Sequence, residues 1–216
     1  MSNKDLFITA AVEGIIDEAV VRAITDHVGL RVNAVYGNQG KDNLRQRLRA
    51  YNNAAQYSPW FVLTDLDDEE CAPPLRHRLL PEAAPNMCLR IAVREVESWL
   101  MADRSRLASF LHVSEARVPV NPEAVPDPKE TMVNLARQSR LRAIREDMVP
   151  RPGSGRPTGP AYASRLIEFV SDPRRGWRCG RAATRADSLR RCLACLKSLR
   201  KRALTGMRKR NAGWSL

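Results

Sequence analysis

Leu6-Phe7-Ile8-Thr9-Ala10-Ala11-Val12 runs directly into Glu13-Gly14-Ile15-Ile16-Asp17, and Trp60-Phe61-Val62-Leu63-Thr64 runs directly into Asp65-Leu66-Asp67-Asp68. Both apolar stretches have strand length and are apolar enough to be buried on both faces, the pattern of parallel strands covered by helices. Each delivers acidic residues to the point where its strand ends. Open α/β sheets collect ligands at that carboxyl rim, so Glu13 and Asp17, with Asp65 and Asp67, form the candidate site. Carboxylates held together repel one another unless cations intervene, and oxygen-only donors suit Mg²⁺ or Mn²⁺ rather than zinc.

Outward from these stretches, Val20, Val21 and Ile24 recur at helical spacing and Gly29 closes that helix; 31–36 is predicted as a second strand. Gly37-Asn38-Gln39-Gly40-Lys41 turns into a helix with Leu44 and Leu48 on one side. A short helix over 75–80 precedes a fourth strand at 87–93, and 95–103 reads as a helix burying Val96, Trp99 and Leu100. This alternation predicts an α/β fold of about four mainly parallel strands with flanking helices and right-handed crossovers. Past Val113 the texture changes to an all-helical region. Prolines stiffen a connector over 118–128, 150–160 is a Pro- and Gly-rich loop, and helices are predicted at 129–145, 161–170 and 186–204. The expected division is one domain over 1–113 and a second over 114–216, with 205–216 as a disordered tail.

The chain of 216 residues, 44% of them hydrophobic, is long enough for a sizeable core. It has no run of apolar residues long enough to span a bilayer, and Met1-Ser2-Asn3-Lys4-Asp5 lacks the features of a signal peptide, so a soluble cytoplasmic protein without a membrane partner is expected. Five scattered cysteines without an export signal argue against a disulfide framework. Cys192-x-x-Cys195, with Cys179, has the shape of a partial zinc site, but His27, His77 and His112 are distant in sequence; otherwise both thiols lie along a helix, with Cys192 on its apolar side.

The formal charge of +12 is concentrated at one end: from Arg174 onward lie 14 of the 36 basic residues and only one of the 24 acidic ones, Asp187. A polyanion is the natural partner, because Lys and Arg that neutralise phosphates release counterions. In the last predicted helix Leu189, Cys192, Leu193, Leu196 and Leu199 form an apolar stripe, leaving Arg190, Arg191, Lys197 and Lys201 to face DNA or RNA. Lys41 and Lys129 are further candidates for phosphate contact. The plainer interpretation of these bases is a solvated surface.

Glu13-Gly14-x-x-Asp17 followed by Asp65-x-Asp67 resembles the Toprim domain of bacterial primases, type IA and type II topoisomerases and the overcoming-lysogenisation-defect nucleases. Gly40-Lys41, Glu95-x-Glu97-x-Trp99-Leu100, Asp127-Pro128-Lys129-Glu130 and Ser188-Leu189 resemble a bacterial family of Toprim-related proteins, which extends the likeness over most of the chain. The resemblance implies a Toprim-like, Rossmann-like sheet and a bound Mg²⁺ or Mn²⁺. It also implies that Glu13 is a metal ligand or general acid/base, that Asp65 and Asp67 are metal ligands, and that the setting is phage defence.

Residue chemistry adds its own expectations. Asp65 and Asp67, two apart on an extended strand, point the same way while Leu66 turns inward. Gly14 permits the turn that exposes Glu13. Asp17 either completes the metal shell or is an acid at a helix N-terminus. Glu95 and Glu97 diverge by about 200° on an ideal helix, and Glu97 is taken as the one that reaches a second cation. The 37–41 turn lacks the spacing of a Walker A loop.

The reading that unites these features is a Mg²⁺-dependent nuclease or related phosphodiester phosphoryl-transfer enzyme, its acidic edge doing the chemistry and its basic region holding nucleic acid. Its rival is a non-catalytic Toprim-like module that binds nucleic acid or protein. A phosphoacceptor receiver domain would need paired acids at the first strand and a single aspartate at the third, the reverse of what is present. None of Tyr36, Tyr51, Tyr57 and Tyr162 stands in a topoisomerase nucleophile context.

Overall fold

A computed structural model describes the backbone of residues 6–212 and the side chains of 6–205. The four strands β1 (Phe7–Val12), β2 (Arg31–Gly37), β3 (Trp60–Asp65) and β4 (Met87–Ala92) form one parallel sheet in the order β2-β1-β3-β4. The α/β class and strand positions match the sequence expectation. Helices α1 (Ile15–His27), α2 (Lys41–Ala54) and α3 (Ala72–Leu79) link successive strands. Beyond β4 follow α4 (Val96–Ala102), α5 (Arg104–Leu111), α6 (Pro128–Arg137), α7 (Arg142–Met148), α8 (Tyr162–Ser171), α9 (Cys179–Ala182) and α10 (Asp187–Ala212).

The chain divides into two compact units that are not consecutive in sequence. A sheet unit takes the chain up to Thr64, then 71–91 and everything from Arg191 on; a helical unit takes 65–70 and 92–190. The expected break between 113 and 114 is therefore not where the chain parts. Residues 92–113 belong with the helices, and most of α10 belongs with the sheet.

In the sheet unit, Ala11, Val62 and Leu89 share one core cluster with Leu44, Leu48 and Tyr51 of α2 and Leu80 after α3. Strand alternation sends Cys88 to the opposite face from Met87 and Leu89. There Cys88 forms a disulfide with Cys195 of α10, Cα to Cα 6.5 Å, across 107 residues of sequence. This corrects the expectation against disulfides, and with the Cys195 sulfur so bonded the Cys192-x-x-Cys195 zinc pair, the alternative that the distant histidines argued against, is not formed. Cys192 is buried on the apolar stripe with Leu189, Leu193, Leu196 and Leu199, as its spacing requires. Arg200 of the same helix donates from Nε to the carbonyl of Gly29 at 3.2 Å.

The helical unit is organised around α4, all of whose residues are buried. Trp99 Nε1 donates to Ser188 Oγ at 2.7 Å, and Trp177 Nε1 donates to the Trp99 carbonyl at 2.9 Å. The carboxylate of Glu123 accepts from the backbone N–H groups of Asp187 (2.8 Å) and Ser188 (3.0 Å), satisfying donors that the first turn of α10 leaves open. Asp103, fully buried, accepts from Arg178 backbone N, Nε and Nη2 at 3.0, 2.9 and 2.7 Å.

Two helix expectations change. The predicted helix over 129–145 is broken into α6 and α7, because Ser139 Oγ accepts from Leu141 N at 3.1 Å and turns the backbone out of the helical path. At the other end α10 continues to Ala212, so most of the expected disordered tail is helical; 213–216 lie outside the described residues.

Candidate metal and phosphate site

The sheet unit places Glu13 directly after β1, partly buried, where Thr64 of the neighbouring strand donates its hydroxyl to Oε1. Gly14 is the N-cap of α1 at φ −150°, an extended conformation open to any residue, so the expected need for glycine there does not arise. Asp17 is buried and reaches back, Oδ2 accepting from Gly14 N at 2.9 Å. That is the capping geometry of a helix N-terminus, the second of the two roles expected for it. The β2–α2 turn is stitched to the same strand end: Asn38 N donates to the Val12 carbonyl at 3.1 Å and Gly40 N to the Glu13 carbonyl at 3.0 Å. Lys41, half-buried, then opens α2. Asn38 Nδ2 also donates to Glu18 at 2.8 Å; burial acts to raise the pKa of that carboxyl, but its bonds to Arg22 and Asn38 outweigh burial and lower it.

In the helical unit β3 ends at Asp65, and the chain does not continue extended to Asp67. Asp67 sits in the left-handed region at φ +51°, and so does Arg94 at φ +62°. The two hold each other: Asp67 N donates to the Arg94 carbonyl at 2.9 Å, and Arg94 Nη1 donates to the Asp67 carbonyl at 3.0 Å. Strand alternation therefore does not align Asp65 with Asp67, contrary to expectation, although Leu66 between them is buried as foreseen. Two non-glycine residues held in this sparsely populated conformation are costly, and such strain concentrates at functional sites.

Glu95 and Glu97 also escape the helical-wheel argument. Glu95 is the N-cap of α4, at φ −142° and ψ 163°, rather than a helical residue. Its carboxylate takes two bonds from one residue, Lys129 backbone N at 2.9 Å and Lys129 Nζ at 2.7 Å. Glu97, 2% exposed, accepts from the Tyr162 hydroxyl at 3.1 Å. Burial pushes the Glu97 carboxyl above the usual glutamate range, with Lys129 acting the other way. Burial would depress the Lys129 ammonium, but the charges of Glu97, Glu95 and Asp65 prevail and hold it well above an ordinary lysine. Tyr162 is pushed up by burial and by Glu97.

Among the basic candidates, Arg191, Lys197 and Lys201 are exposed along α10, and exposed Arg190 pairs with Asp187. Thr64, Tyr162 and the Glu95–Lys129 bond were missed from sequence. Thr64 had a signal, a lone hydroxyl ending an apolar strand beside an aspartate. The other two join residues 65 and 34 positions apart with no local pattern to announce them.

Among the described residues, no group of three or more His, Cys, Asp or Glu side chains is arranged to hold a metal ion, and no helix is long and apolar enough to cross a membrane. Asp65 and Asp67 offer only oxygen donors, the type that hard cations take, but two such residues do not make that group. Glu95 and Glu97 are already balanced by an ammonium group. The chain matches no protein-family model, no curated protein and no solved structure.

Proposed function

We propose that this chain is a Mg²⁺-dependent phosphodiesterase of nucleic acid, Toprim-like in its site and cytoplasmic in its setting. In support, the sheet unit has Glu13 directly after β1, accepting from Thr64 of the adjacent parallel strand, and the helical unit has Asp65 followed by a turn strained at Asp67. In this reading Asp65 and Asp67 would hold the cation, which when bound would supply Lewis-acid stabilisation to the phosphoryl group. Glu13, oriented by Thr64, takes a proton from the attacking water. The water oxygen bonds to phosphorus, the ester P–O bond breaks, and its electron pair leaves with the departing oxygen, which is protonated from solvent.

The test is cleavage of single- and double-stranded DNA and RNA by purified protein. The expected result is degradation only with Mg²⁺ or Mn²⁺, abolished in Asp65→Ala with fold retained. Nucleic-acid binding without cleavage of any substrate would point instead to the non-catalytic module. The basic face is tested by substitution, since truncation would remove the buried stripe of α10. Lys197→Ala with Lys201→Ala is expected to reduce the slope of log affinity against log salt by about 2, one phosphate contact for each lysine. An unchanged slope would make these lysines solvated surface only.

A further inference from the structure

An aromatic stack runs from the core of the sheet unit out to its edge. Trp60 of β3 and Tyr51 of α2 are buried, their ring centroids 5.1 Å apart and their planes 20° apart. Tyr36 continues the stack at 5.6 Å and 24° from Trp60, but it stands on β2, the outermost strand, and is 47% exposed. These are the separations of offset-stacked rings. Tyr36 and Trp60 meet across β1 because Ala11, the register partner of Tyr36, puts only a methyl group on that face.

Core packing does not account for this stack. Among the described residues, Tyr51 Oη and Trp60 Nε1 are buried without a hydrogen-bond partner. Buried phenol and indole groups usually find one, and leaving two donors open costs stability. Departures of that kind are expected where a site serves function. Trp60 covers one face of the Tyr36 ring, and about half of the residue's surface stays open.

The flanking helix is basic: α2 carries Lys41, Arg45, Arg47 and Arg49 against Asp42 alone. Arg47 is exposed and has no ion pair among the described residues. It lies four residues before Tyr51, the spacing that makes side chains neighbours on a helix surface. An open aromatic face with uncompensated positive charge beside it suits single-stranded nucleic acid, whose bases stack while its phosphates take the cation. A duplex has no base free to do so, because its rings are stacked on one another. Ala11, opposite Tyr36, is two residues and about 7 Å of strand before Glu13.

Resting on the nucleic-acid reading above, we infer that the outer face of Tyr36 is a stacking site for one base of single-stranded DNA or RNA, backed by Trp60 and Tyr51, with Arg47 meeting a neighbouring phosphate. The substrate this site selects is single-stranded.

The experiment reads fluorescence anisotropy of three fluorescein-labelled probes of equal length: oligothymidylate, a duplex, and an abasic strand that keeps the phosphates and lacks the bases. Full-length chain is used in chelator, so that nothing is cleaved. Tyr36→Ala is expected to weaken oligothymidylate binding by about 5- to 100-fold, with less than about a twofold change on the duplex and the abasic strand. Tyr36→Phe and Tyr36→Trp, which keep a ring, should bind as wild type does. Wild type should prefer oligothymidylate to the abasic strand by the factor that Tyr36→Ala loses, a comparison that needs no variant to fold. Equal wild-type affinity for those two strands overturns the inference, as does full affinity in Tyr36→Ala or an equal loss on all three probes. Loss of a dimer in Tyr36→Ala, read by sedimentation with unchanged nucleic-acid affinity, would make this edge a contact between two copies instead. Cleavage is measured separately with Mg²⁺. Base-dependent binding through Tyr36 without cleavage of any substrate leaves the stacking site standing and sinks the phosphodiesterase reading; Mg²⁺-dependent cleavage with base-independent binding does the reverse. Absence of binding to every probe overturns the stacking site whatever the cleavage result.

Discussion

Trp99→Ala is expected to lower the unfolding free energy by about 3–5 kcal/mol, the usual cost of deleting a fully buried large aromatic side chain. Trp99 is 0% exposed, and its indole N–H is a hydrogen-bond donor to Ser188 Oγ, so the change leaves both a cavity and a weakened polar junction. Trp99→Phe keeps most of the volume and loses only the donor, for which about 1–2 kcal/mol is expected. Urea midpoints read by far-UV circular dichroism and by tryptophan fluorescence measure both. A Trp99→Ala loss under about 1 kcal/mol would mean that α4 is not the centre of the helical unit.

Gly37→Ala is the second large effect. Gly37 ends β2 at φ +99°, and a Cβ there would meet the Val12 carbonyl oxygen at 2.0 Å. Backbone rather than a flexible side chain is in the way, so β1 and β2 must separate where Glu13 begins. Conformational strain alone is of the order of 1–3 kcal/mol, and the clash adds to it. Gly40→Ala, in the same turn at φ +85° and ψ 171° but with nothing within 4 Å of the added carbon, is the control; it should cost the conformational strain without the clash. Thermal unfolding separates the two variants, and near-equal midpoints would contradict this account of the turn.

How much was legible depended on whether the determining contacts were local. The strands were, because Phe61-Val62-Leu63 and Ala10-Ala11-Val12 are buried runs whose apolar character has one structural use. The stripe of α10 was, since Leu189, Cys192, Leu193, Leu196 and Leu199 follow helical period. Asp67 was misjudged because strand geometry was extended past Asp65, where the partner that bends the chain is Arg94, 27 residues away. Glu95 and Glu97 were assigned to a single helix; the cap position of Glu95 frees it from the 100° step and lets both act on Lys129. Lys129 was seen as a helix-start base, with no local cue to its carboxylate partners. The split between α6 and α7 turned on one buried serine.

Cys88 and Cys195 lie on either side of the whole 92–190 segment, so their bond closes a covalent loop that contains it. A protease that nicks the exposed 150–160 loop cannot release either product, and nicked molecules should migrate as one band until a thiol reagent is added. The same bond keeps both fragments in one molecule, so refolding after a nick remains a unimolecular event.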